Sequence, residues 1–264
     1  MDKALNEFTG LLRRAADDYN MIQEGDRIAV GVSGGKDSML LLLAMKHLQS
    51  FYPKAFQLEA ISIELGFEGM DFTPVAELCR EKDIPYTCLK TDIKEIVFDV
   101  RQEENPCSLC AKMRRGALND AIRQRGIKKL ALGHHFDDVI ETILMSMLYG
   151  AQVNTMMPKL HSTNFEGMEL IRPLYLVKEQ DILAWKEYNH LRFLQCACRF
   201  TERIARERAL EEEVHSSKRQ EMKELIQHFR QVNPHIETNI FKSVENVNLD
   251  ACIGYVKDLS LIHI

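Results

Sequence analysis

No apolar run in this chain approaches the roughly 20 residues needed to span a bilayer, and Met1 to Asn20 lacks the apolar centre of a secretion signal. Both absences predict a cytoplasmic protein with no membrane partner. An excess of positive charge is also missing. The formal net charge is −5, which argues weakly against a broad nucleic-acid surface, although a local cluster of Lys and Arg would suffice. Seven cysteines in a chain of this kind do not suggest a disulfide scaffold, so metal or redox chemistry is the better expectation. No glutaminase signature is present. What the chain does have is length: 264 residues at 45% hydrophobic content can build one substantial core and a small appended piece.

That core is expected around Ile28-Ala-Val-Gly-Val-Ser-Gly-Gly-Lys-Asp-Ser38. An apolar, β-branched run ends at Val32 and the apolar body of a helix begins at Leu40, so Ser33 to Ser38 reads as a strand-to-helix turn. Phosphates bind at such turns. Gly34 and Gly35 let the backbone approach a ligand, the following helix offers free N–H groups, Lys36 adds a charge, and Ser33 and Ser38 add hydroxyls. The common P-loop is excluded, because it needs glycine where this chain has Val30 and Ser or Thr where it has Asp37. A bare carboxylate at Asp37 would repel phosphates unless it held Mg²⁺ against a triphosphate.

Ser33-Gly-Gly-Lys-Asp-Ser38 resembles the pyrophosphatase loop of the PP-loop ATPases. That resemblance implies cleavage of ATP between its α and β phosphates, leaving AMP on an activated oxygen.

Helical spacing runs from Leu5 to Tyr19, strands are expected at 27–32, Gln57–Leu65, Tyr86–Lys90 and Lys128–Gly133, and helices at 38–49, Thr73–Lys82, Val139–Tyr149 and Lys178–Asn189. Thr73 is the expected cap of its helix, with Pro74 in the first turn. Alternating strands and helices argue for an α/β, doubly wound parallel sheet whose ligands sit beyond the carboxyl ends of the strands. Gly133-His-His-Phe-Asp-Asp138 stands at such an end. Asp137 suits metal or nucleotide binding there and would equally serve as a helix N-cap.

Asn105-Pro-Cys-Ser-Leu-Cys110 can place two sulfurs on one cation, and Gln195-Cys-Ala-Cys198 supplies more thiols. No histidine stands near either pair at zinc-finger spacing, which leaves a four-cysteine zinc site or an iron–sulfur cluster. Cys79, Cys88 and Cys252 read as core or incidental residues.

The loop, Pro106-Cys-x-x-Cys110 followed by Arg114-Arg-Gly116, Gly133-His-His-x-Asp-Asp138, Ile171-Arg-Pro-Leu174 and the late cysteines stand in the order of the tRNA 2-thiocytidine synthetase family, which the chain resembles from about Asp26 to Arg199. The resemblance implies an adenine nucleotide alpha hydrolase-like fold and ATP-dependent tRNA sulfurtransferase activity on an anticodon-loop cytidine, cytidine 32. It implies ATP, Mg²⁺ and a [4Fe–4S] cluster as cofactors, the cluster resting on three cysteines with one iron free to handle sulfur. It further implies tRNA and a sulfur donor such as a cysteine desulfurase as partners. Carried over, Ser33, Gly34, Gly35, Lys36, Asp37, Ser38, Gly133 and Asp137 bind nucleotide, Lys36, Asp37, Cys107 and Cys110 are catalytic, Asp37 holds metal, and Cys107 and Cys110 are cluster ligands. The better-known branch has Pro-Cys-x-x-Cys at the third ligand; Cys196-Ala-Cys198 is one residue shorter, so either of its cysteines could serve.

Lys112, Arg114, Arg115, Arg123, Arg125, Lys128 and Lys129 are the residues available to an RNA backbone, and Arg172 could reach ATP or RNA. Uridine thiolation, and nucleotide and metal sensing without turnover, are the rival readings. The expected organisation is an N-terminal helix over 1–24, the ATP domain over 25–200 and a helical tail over 201–258, whose two amphipathic helices offer an appendix or a homodimer surface. Leu259-Ser-Leu-Ile-His-Ile264 matches an in-frame translation of a transposase adapter end used in DNA library preparation. These six residues are expected to be an assembly scar.

Overall fold

The computed structural model describes residues 3–67, 69–101, 106–162, 165–189, 218–257 and 260–263. It falls into two compact units, one drawn from Met1–Asp137 and Met157–Val214, the other from Asp138–Met156 and His215–Ile264.

The first unit is the α/β layer. Its elements are α1 (Lys3–Asp18), β1 (Asp26–Gly31), α2 (Lys36–Gln49), β2 (Phe56–Glu64), α3 (Thr73–Glu81), β3 (Tyr86–Lys90), a π-helical segment (Glu95–Val100), α4 (Pro106–Gln124), β4 (Lys129–Ala131), β5 (Lys159–His161), β6 (Glu169–Ile171) and α6 (Glu179–Tyr188), while α5 (Phe136–Gly150) begins here and continues into the second unit. The sheet order is β3-β2-β1-β4-β6-β5. Every neighbouring pair is parallel except β5 with β6. At the centre, Ile28 pairs with Leu58 on one side and Lys129 on the other. Ile28, Ala29 and Val30 are buried, as the uninterrupted apolar run requires of a strand covered on both faces. Leu40, Leu41, Leu42, Ala44, Met45 and Leu48 bury most of α2. From β1 the chain winds outward through β2 and β3, then returns to add β4 on the other flank. The strand order therefore reverses between β1 and β4, opening a crevice at their carboxyl ends.

The amphipathic N-terminal helix belongs to this unit: Phe8, Leu12, Ala15 and Ala16 are buried, and Phe8 meets Trp185 of α6 edge-on at 6.2 Å between centroids. Two local expectations are corrected. Thr73 does not cap α3; Phe72 occupies the cap position, and the Thr73 N–H instead donates to Asp71 Oδ1 at 2.9 Å. The phosphate-loop helix starts at Lys36, two residues before the expected 38. The short strands β5 and β6 were not foreseen, since three residues each carry no readable periodicity.

The second unit holds the rest of α5 with α7 (Lys218–Val232), α8 (Ile236–Ser243), a 3₁₀ turn (Leu249–Ala251) and the hairpin β7 (Gly254–Lys257) with β8 (Ser260–His263). Arg219 of α7 donates to Asp138 Oδ1 at 3.0 Å and Glu141 Oε2 at 2.8 Å, and Lys223 stands 3.8 Å from Glu141. Burial nevertheless holds the Glu141 carboxyl above its ordinary range. Helix α7 ends at Asn233-Pro234, and Arg230 bridges the break to Glu237. Expected helical residues 201–217 lie outside the described residues. The adapter-like residues 260–263 pair antiparallel with 254–257, from Gly254↔His263 to Lys257↔Ser260. No helix among the described residues is long and apolar enough to cross a membrane.

Candidate nucleotide site at the reversal of strand order

The loop Val32 to Lys36 leaves the buried end of β1 and turns sharply into α2. Gly34 takes φ +77°, a left-handed conformation that a side chain would strain. The turn is tied from within: Ser33 N–H donates to Ser38 Oγ at 3.1 Å, Ser38 Oγ donates to Gly35 O at 3.0 Å, and Gly35 N–H donates to Ser33 Oγ at 3.3 Å. Both serine hydroxyls thus shape the loop. No side chain caps α2, so the amino end of that helix faces the crevice with its dipole uncompensated by a cap.

Lys36 Nζ lies 2.8 Å and 3.1 Å from the two oxygens of Asp37 and 3.0 Å from Glu179 Oε1. Burial alone would lower the Lys36 ammonium, but the Asp37 charge and the hydrogen bonds that Lys36 donates to Asp37 and Glu179 outweigh it and hold the group above 10.5. Lys36 therefore presents a full positive charge at neutral pH.

Across the crevice, the turn after β4 closes against the loop backbone. A Cβ added to Gly133 would lie 3.1 Å from Ser38 N, a separation real Cβ atoms seldom have. Buried His135 reaches both sides, with Nε2 3.9 Å from Asp37 Oδ1 and Nδ1 3.7 Å from Asp137 Oδ2. Asp137 sits inside the first turn of α5, one residue past its start, so the N-cap alternative is corrected. Its Oδ2 instead accepts the backbone N–H of Glu179 at 2.6 Å. The structure thus brings the predicted Ser33–Ser38 and Gly133–Asp137 together. It adds Glu179, which sequence reasoning missed because an acidic residue in a first helical turn is explained by the helix dipole alone.

Other predicted residues are placed elsewhere. Lys129 is buried, donating to Met21 O at 2.9 Å and paired with Asp26 and with Glu169 at 3.1 Å, which removes it from any RNA surface. Arg125 pairs with Glu59 at 2.9 Å and Arg123 with Asp120 at 3.3 Å. Arg172 is buried and donates to the carbonyl of Met157. Lys112 and Arg115 are exposed on α4.

Pro106 opens α4, so the backbone positions of Cys107 and Cys110 fall in the first turns of that helix. Cys110 is buried beside an apolar cluster that includes Val97, Leu118 and Ile122. Cys196 and Cys198 lie outside the described residues. A buried thiol at Cys110, in a low-dielectric surround, suits an iron–sulfur ligand. Among the described residues no three His, Cys, Asp or Glu side chains gather as a metal-binding group. The Asp37 carboxylate beside a phosphate cradle suits Mg²⁺, which takes one or two carboxylates and completes its shell with phosphate and water.

The PP-loop domain family matches residues 7–216, and the fold and site define a PP-loop ATP-binding protein. The chain is 34% identical over 248 residues to the tRNA-cytidine(32) 2-sulfurtransferase of Geotalea uraniireducens, covering 93% of each chain. It is 36% identical over 236 residues to the protein of that name from Pelobacter propionicus, covering 89% of this chain and 83% of the other. Among solved structures, U34-tRNA thiolase NcsA from Methanococcus maripaludis with its [4Fe-4S] cluster has the same fold: TM-score 0.66 and 22% identity, over 90% of this chain and 78% of that one. The chain belongs to the tRNA-cytidine(32) 2-sulfurtransferases, ATP-dependent transferases of the PP-loop family.

Proposed function

We propose that this protein thiolates tRNA at cytidine 32, using ATP to activate the C2 oxygen and replacing that oxygen with sulfur. The observation that carries the reading is the relationship with proteins of that name, at 34% identity across 93% of both chains. The site supports the chemistry. A C2 carbonyl oxygen is a poor leaving group, so it must first be activated. Its attack on the α phosphorus of ATP forms an O–P bond, and the electron pair of the α–β bridge leaves with pyrophosphate. Lys36 and the uncapped N–H groups of α2 would stabilise the charge that builds on the phosphates, a differential effect of about 3 kcal/mol for one well-placed donor. Gly34 permits the left-handed turn of the loop, and Gly133 lets the turn after β4 pack against it. Asp37 would hold Mg²⁺, which when bound neutralises the polyphosphate. A sulfur nucleophile at the sulfide level then adds to C2, and the C2–O electron pair leaves with AMP. Cys107, Cys110 and one of Cys196 and Cys198 would hold a [4Fe–4S] cluster, which supplies an iron site for sulfur. Single-stranded loops expose a base edge to such chemistry.

The test is incubation of purified protein with unmodified tRNA, ATP, Mg²⁺ and a cysteine desulfurase with cysteine, with dithiothreitol to reduce the persulfide sulfur to sulfide, followed by nucleoside mass spectrometry. The expected product is 2-thiocytidine, absent when ATP is replaced by its α,β-methylene analogue. Appearance of 2-thiouridine instead, or no thionucleoside while tRNA-independent ATP cleavage proceeds, would reject it.

A further inference from the structure

Glu179 belongs to no motif read from the sequence, yet it closes a circuit of polar contacts around the phosphate loop. Its Oε1 is 3.0 Å from Lys36 Nζ, its backbone N–H is anchored 2.6 Å from Asp137 Oδ2, and Asp137 returns through His135 to Asp37, which holds the other side of Lys36. The pair spans 143 residues of sequence. The anchor is a backbone N–H at the first residue of α6, a helix held on the fold by its buried residues Ile182 and Trp185. Glu179 is therefore presented to Lys36 by rigid structure rather than by a mobile surface chain.

The chemistry of sharing one ammonium between two carboxylates has a consequence. Asp37 is the carboxylate facing the loop that a divalent cation would take, and a cation and an ammonium compete for the same oxygens. With Glu179 present, Lys36 keeps a partner when Asp37 turns to a cation. Without it, Asp37 is the remaining carboxylate of the pair within reach of Lys36, and lysine and cation exclude one another. We propose that Glu179 is a positioning residue that retains Lys36 when Asp37 turns to a cation, and so sets the affinity of the loop for a cation-bound nucleoside triphosphate. The inference rests on the ATP-binding part of the proposed function and not on which base is thiolated.

The measurement is calorimetric binding of α,β-methylene-ATP to the full-length protein and to its E179Q and E179A variants, across a Mg²⁺ titration and in its absence, alongside thermal melting. The Glu179 backbone bond to Asp137 survives both changes, so melting is expected to stay within a few degrees of the parent. The Mg²⁺ concentration for half-maximal nucleotide binding should rise about two- to fivefold in E179A, roughly the worth of a partly exposed ion pair. It should rise less in E179Q, whose amide oxygen still accepts from Lys36. Mg²⁺-free binding should not weaken, because the variants remove a negative charge near the triphosphate. An unchanged Mg²⁺ midpoint in E179A would overturn the inference, as would equal losses with and without Mg²⁺ accompanied by a lowered melting temperature. A parent protein that binds the analogue yet leaves tRNA unmodified would reject the thiolation reading, while a raised midpoint in E179A would still uphold Glu179.

Discussion

The α carbon of Gly133 packs so closely on the phosphate loop that an added Cβ would stand 3.0 Å from the carbonyl carbon of Asp37. The close contacts, to Asp37 and Ser38, are to backbone, so no side chain can swing aside and relief requires the loop itself to shift. Gly133→Ala should therefore displace the loop by a few tenths of an ångström and weaken ATP binding by about tenfold, the cost of misaligning a preorganised anion site. Calorimetry against the parent checks this; unchanged affinity would show that the two turns can part freely.

Lys36→Met removes the charge that the site is built to present. tRNA-dependent pyrophosphate release is expected to fall by about 100-fold or more. Because the Lys36 pKa is raised above 10.5, its stabilising pairs with Asp37 and Glu179 are fully present below that value and are lost as pH rises through the raised one. A pH–rate profile should consequently show no loss from this group between neutrality and pH 10.5.

Replacing Cys107 or Cys110 by alanine is expected to abolish thiolation while ATP binding persists, because α4 and the phosphate loop are separate elements. Anaerobic purification with iron and sulfide analysis should give about four of each in the parent and a loss in either variant. One zinc per chain with no visible absorption would make these cysteines structural. Cys79 behaves differently: burial pushes its thiol up to about 11. It should resist alkylation at pH 8 in the folded protein, and its contribution to stability, complete below 9.0, should decline as pH rises toward 11.

Lys129→Met should destabilise the fold by about 3 kcal/mol, since it leaves Asp26 and Glu169 without their buried cation. Glu169 opposes the effect of its burial through bonds from Lys129 and Lys159, which hold its pKa below 4.5. Its stabilisation is thus complete above 4.5 and lost as pH falls through the lowered value; denaturant melts at pH 7 and pH 3.5 should show the parent losing more than the variant. Lys112→Glu with Arg115→Glu, on the exposed face of α4, should leave melting unchanged, weaken tRNA binding and flatten its salt dependence.

The sequence by itself determined the central strand, the phosphate turn and the family. Ile28 to Val30 form an unbroken apolar run, and Ser33 to Ser38 combine glycines, a cation and a carboxylate, so backbone conformation and ligand chemistry are both local properties of consecutive residues. β3 and the amphipathic helices were legible for the same reason. The tertiary structure alone decided what depends on distant segments meeting. Asp137 reads from its neighbours as a metal or nucleotide ligand or as a helix cap, and becomes the anchor of Glu179 because the turn after β4 and the start of α6 converge. Lys129 reads as one more surface cation in a basic stretch, yet the register of β4 against β1 and β6 buries it between Asp26 and Glu169. Charge pairing of this kind has no period and no spacing, so only the folded arrangement could reveal that Lys36 is held by a carboxylate 143 residues away.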